Sequence, residues 1–68
     1  MSDIDIIKQY IKKLDSRAEV VKIKYLGNKT YEVIAKEGGL GHSIYGVIRL
    51  KIIKHGRVRK LYEKWCCA

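Results

Sequence analysis

Seven cations stand close together toward the end of the chain: Arg49, Lys51, Lys54, Arg57, Arg59, Lys60 and Lys64. Side chains of this type and density neutralise phosphates and release the counterions condensed on a nucleic acid, which makes binding tight and salt-dependent. If Lys22, Lys24, Arg49 and Lys51 alternate along strands as their spacing suggests, they share one sheet face with Tyr45 among them. A tyrosine inside a basic surface can stack on an unpaired base. The plainer role for strand lysines is a solvated face that discourages edge-to-edge aggregation. Net charge bears on that choice. The chain carries +8, and residues 36–68 hold eight basic groups against two acidic ones. Solubility alone does not require so much charge on so small a domain.

Other constellations carry less chemistry. Gly38-Gly39-Leu40-Gly41 is a G-x-x-G string whose amides could form an anion nest. It lacks the following Gly-Lys-Ser/Thr of a phosphate-binding loop, and it falls between two strands, which suits a flexible connection over 38–43. His42 and His55 are ordinary polar loop residues in type and position. A histidine such as His42 could instead serve metal-independent RNA cleavage as general acid or base, with Arg49 or Lys51 stabilising the phosphorane. The seven carboxylates, Asp3, Asp5, Asp15, Glu19, Glu32, Glu37 and Glu63, are scattered and form no paired acidic site. Cys66 and Cys67 are neighbours, so they cannot staple a fold, and they lack zinc-binding spacing. They read as two thiols on a frayed tail, with an intermolecular disulfide or a redox role as the alternative. No cofactor and no metal is expected.

The elements that position these groups follow from periodicity. Ile4, Ile7, Ile11 and Leu14 form one stripe of a helix over Asp3 to Leu14, capped by Ser2 or Asp3. Glu19 to Leu26 alternates, with Val21, Ile23 and Tyr25 on one face and Val20, Lys22, Lys24 and Leu26 on the other. Gly27-Asn28-Lys29 signals a turn into a second strand, Thr30 to Lys36. Ile44 to Lys54 is a third strand, apolar on both faces and therefore central. Val58, Leu61, Tyr62 and Trp65 then recur at helical spacing. A short C-terminal helix is expected there, with a fourth strand as the alternative. The fold class is α+β: an N-terminal helix on a three-stranded antiparallel meander, in the order α-β-β-β-α, within one domain spanning 1–68.

Sixty-eight residues leave room for one small core. Such a domain buries only about 60% of its unfolded surface, so a homodimer is expected, and a deep cleft of the enzymatic kind is not. Apolar residues are 47% of the chain, which excludes disorder. No apolar run approaches the roughly 20 residues that span a bilayer, and the acidic start Met-Ser-Asp-Ile-Asp is not a signal-peptide n-region. A prenylation box needs cysteine where Trp65 stands. A soluble, cytoplasmic protein is expected. One Gln, one Asn and many Lys suggest a hyperthermophile tendency.

From Tyr31 to His42 the chain (Tyr-Glu-Val-Ile-Ala-Lys-Glu-Gly-Gly-Leu-Gly-His) resembles the double-stranded-RNA-binding domain, in which a tyrosine-led strand runs into a Gly-Pro-x-His loop. The inferred α-β-β-β-α order is similar as well. Here the proline is replaced, the tyrosine strand is second rather than first, and Arg57-Arg59-Lys60 only loosely matches the family's basic helix start. HicA-type toxin ribonucleases are similar in topology, which would make His42 the catalytic histidine. Both are likenesses of topology, and fold alone does not assign function.

The expectation is a small, non-catalytic nucleic-acid-binding protein. Its phosphate contacts would come from Lys22, Lys24, Arg49, Lys51, Lys54, Arg57, Arg59, Lys60 and Lys64, and its stacking from Tyr45. The alternative is a homo-oligomeric interaction module using Val20, Leu26, Ile34 and Val47 on an outer face. A metal-independent ribonuclease using His42 is the third reading.

Overall fold

The computed structural model describes residues 2–39 and 42–67, without the side chains of Gly39, His42, Ser43 and Cys67. Helix α1 (Asp3–Leu14) is followed by four strands: β1 (Ala18–Gly27), β2 (Thr30–Gly39), β3 (His42–Ile53) and β4 (Arg57–Cys67). They form one antiparallel sheet in the order β1-β2-β3-β4, with α1 on one face. The architecture is α+β, an N-terminal helix followed by a four-stranded meander.

The helix begins where the chemistry of its first turn allows. The Ser2 hydroxyl accepts the Asp5 N–H at 3.3 Å, Asp3 and Asp5 sit at the positive end of the dipole, and Lys12 and Lys13 sit at the negative end. The buried stripe is narrower than the isoleucine spacing predicts. Ile7 and Ile11 are fully buried, flanked by the half-buried Ile6 and Tyr10. Ile4 and Leu14 lie at the stripe's margins and stay 48% and 37% exposed.

Against this stripe the sheet presents Ala18, Val33, Ala35, Ile48, Leu50 and Ile52, all buried. The register explains the choice. Tyr31, Val33 and Ala35 of β2 stand opposite Leu50, Ile48 and Gly46 of β3, so the predicted face of each strand meets its neighbour's. Strand β1 differs from the expected alternation. A bulge between Val20 and Lys22 inserts Val21, so Val20 faces inward opposite Ala35 while Val21 is 55% exposed. One extra residue exchanges the faces of everything before it relative to everything after it.

The C-terminal helix is replaced by β4. Strand β3 is long and apolar on both faces, and its second edge holds backbone groups that must be paired. Pairs from Ile53↔Arg57 to Ile44↔Cys67 cover that edge from Ile44 to Ile53. The chain reverses through Lys54–Gly56, where His55 and Gly56 take φ of 64° and 70°. The helical spacing of Val58, Leu61, Tyr62 and Trp65 arises from a bulge in β4. Between Lys60 and Tyr62 the extra Leu61 shifts the alternation, so Val58, Lys60, Glu63 and Trp65 share the inner face. With β4 in place of a helix, the α-β-β-β-α order shared with double-stranded-RNA-binding domains and HicA-type ribonucleases does not hold.

The connection expected over 38–43 is also shorter. Gly38 and Gly39 belong to β2, while His42 and Ser43 open β3, with Gly39 opposite His42. Leu40 and Gly41 lie outside the described residues. Cys66 and Cys67 are the paired end of β4 rather than a frayed tail.

Candidate nucleic-acid interface

Helix α1 covers one face of the sheet, and no described element covers the other. Register assigns the side chains of that open face in rows across the strands. One row runs Lys22, Ile34, Val47, Lys64. The next runs Lys24, Glu32, Arg49, Tyr62. Toward one end stand Glu19, Lys36, Tyr45 and Cys66, and toward the other Thr30, Lys51 and Arg59. Seven cations thus share the face with two carboxylates, and Arg57 marks its end opposite Ile53.

Lys22, Lys24, Tyr45, Arg49, Lys51, Arg59 and Lys64 therefore come together as the alternation implied. Two predicted residues do not join them. Lys60 faces the helix side, where its ammonium meets Glu63 Oε1 at 2.7 Å, and this bond raises its pKa. Lys54 stands in the turn and lines a depression with Asp3 and Ile6 of the helix. Two residues were missed. Lys36 was visible in the alternation of β2 but sat apart from the main basic cluster. Tyr62 was hidden because its apparent helical partners pointed to a core stripe. Of the outer apolar residues expected to mark an interaction surface, Val20 belongs to the core, whereas Ile34 and Val47 occupy the middle of the open face.

Ion pairing organises this surface locally. Arg49 Nε donates to Glu32 Oε2 at 3.1 Å across β2 and β3, and its guanidinium lies 5.4 Å from the centre of the Tyr62 ring. Cation–π contact and a carboxylate together hold the guanidinium in one orientation. Tyr45 and Tyr62 are 41% and 43% exposed, and they line a shallow depression together with Val47, Arg49 and Lys64. Charged groups on the other face are mostly tied down. Tyr31 donates to Asp3 Oδ2 at 2.7 Å, and this bond holds the phenol pKa up to about 12. Glu37 bonds to Asp15, which raises the Glu37 pKa and lowers that of Asp15, and Arg17 meets Glu37 at 2.9 Å.

Catalytic groupings are sparse. No three His, Cys, Asp or Glu side chains converge to hold a metal among the described residues. His55 is exposed in the β3–β4 turn, and the His42 side chain lies outside the described residues. No helix among the described residues is long and apolar enough to cross a membrane. No protein family, curated protein or solved structure matches this chain.

Proposed function

We propose that this protein binds nucleic acid through the open face of its sheet, without catalysis. The observation that carries this reading is the imbalance on that face, seven cations against two carboxylates. One of those carboxylates, Glu32, is already paired with Arg49. Lys22, Lys24, Lys36, Lys51, Arg59 and Lys64 would meet phosphates, and release of their counterions would supply most of the affinity. A flat array of this kind positions the backbone and reads little sequence. Stacking this face on a second copy would set like charges against each other, so a homodimer would form through another surface.

Fluorescence anisotropy with labelled single- and double-stranded DNA and RNA, titrated at several salt concentrations, tests the proposal. The expected result is submicromolar binding of at least one form near physiological salt, weakening steeply as salt rises. Binding of every form weaker than about 10 μM would reduce the basic face to generic electrostatics and overturn it.

A further inference from the structure

Resting on the nucleic-acid reading above, we infer that the open face takes single-stranded nucleic acid, with Tyr45 and Tyr62 as two separate stacking platforms. The two rings lie on neighbouring strands. Tyr62 stands opposite Arg49, four residues along β3 from Tyr45. At the rise of an extended strand this is about 13 Å. That distance is nearly four stacked steps of a duplex, in which successive nucleotides are about 3.4 Å apart. A duplex offers a bare base face at neither ring, because its bases are covered by their neighbours. An unstacked strand offers one at each.

The surroundings of the rings fit bases rather than grooves. Val47 lines the depression the two rings share, beside Lys64 and Arg49, and Ile34 stands next to it on β2. Cations stand beside both rings. Lys22 and Lys64 close the Ile34–Val47 row at the two edge strands, about 14 Å apart across three strand spacings. Phosphates and bases are thus met side by side, with Lys64 two residues along β4 from Tyr62. Arg49 is itself part of the second platform, since its guanidinium lies over the Tyr62 ring and is held by Glu32. Guanidinium planes stack on bases as aromatic rings do. Reading a duplex by its major groove requires a helix or ribbon that projects into it. Among the described residues the only α-helix is on the opposite face, and β1 to β4 lie within the sheet.

The test uses the full chain and four labelled 12-mers: oligo-dT, oligo-U, a dA·dT duplex, and an abasic strand of equal phosphate count. One of the two single strands is expected to bind at least tenfold tighter than the duplex and the abasic strand. Tyr45→Ala and Tyr62→Ala should each weaken that binding by about 5- to 150-fold, while Tyr45→Phe and Tyr62→Phe retain it. The salt slope should stay constant throughout the series, since no cation is removed. Equal affinity for oligo-dT, oligo-U, duplex and abasic strand would overturn the platforms and leave the phosphate-binding function standing. Absence of binding in all four arms would overturn that function as well.

Discussion

The Trp65 indole lies on the bare Cα of Gly46, its partner across β3 and β4. A Cβ at Gly46 would stand 2.5 Å from Trp65 Cε3 and 2.6 Å from Cδ2, inside any tolerable contact. Gly46 is buried beside Ala35 in the same row, so the strand there is thin and the indole supplies the missing bulk. The tryptophan helps to roof a sheet whose 12-residue helix, about 18 Å long, is shorter than strands of 10–12 residues, roughly 33–40 Å.

Gly46→Ala must therefore move the whole ring. Overpacking of this kind costs about 1–3 kcal/mol. Denaturant unfolding should show the free energy of unfolding falling by that amount, with Trp65 emission shifting to the red in the native state as the indole is pushed toward water. A variant with unchanged stability and emission would show that the close approach carries no packing energy.

Glu63 links Trp65 to pH. Its carboxylate accepts from Lys60 and from the indole N–H, both at 2.7 Å. The Lys60 bond first, and then the indole, hold its pKa below the ordinary glutamate value of 4.5. A depressed carboxylate pKa contributes stability that is present above the unfolded-state value and is lost as pH falls through the folded-state value. Glu63→Gln keeps an acceptor for the indole but cannot lose a charge. Its stability, compared with the parent, should be lower at neutral pH and should converge with it as pH falls through the depressed folded-state pKa of Glu63. Parallel curves down to pH 2 would remove Glu63 from the acid response.

Much of this arrangement was legible in the chain. The helix, the three strands through Lys54 and the sharing of one face by Lys22, Lys24, Arg49 and Lys51 follow from period-two and period-3.6 patterns. Much of what was not legible traces to single inserted residues, Val21 in β1 and Leu61 in β4. Each is a bulge, and a bulge breaks alternation without any composition signal of its own. Around Leu61 it also created a false helical period. Lys60 and Glu63, three apart, would face opposite sides of a regular strand; here they bond to each other. The same bulge places Tyr62 on the open face, apart from Val58 and Trp65 with which it shares the helical spacing. The strand identity of 57–67 depends on the unpaired edge of β3, a tertiary fact that local propensity does not contain.

The β1–β2 turn has a residue that can be improved. Asn28 and Lys29 take φ of 53° and 58° between the paired Gly27 and Thr30, as a type I′ turn requires at both central positions. Asparagine tolerates this region; lysine has no such preference. The Lys29 carbonyl accepts the Ile52 N–H at 2.9 Å, a bond that its side chain does not influence. Lys29→Gly should raise stability by about 0.5–1 kcal/mol, the relief of left-handed strain less the extra chain entropy of glycine. Thermal unfolding checks this, and a lowered midpoint would mean that the lysine side chain contributes a contact of its own.

Arg59 and Lys60 are neighbours in sequence and lie on opposite faces of β4. Arg59 stands on the open face opposite Lys51, and Lys60 stands on the inner face, held by Glu63. Removing either lowers net charge equally, so generic electrostatics predicts the same loss of nucleic-acid affinity for both. A located interface predicts a difference. Arg59→Ala should reduce the slope of log affinity against log salt by about 0.7–0.9, the value of one lost phosphate contact. Lys60→Ala should leave the slope within error of the parent. Anisotropy titrations of both variants over the same salt range decide the matter. Equal slopes for the two would mean that the open face is not where the phosphates are held.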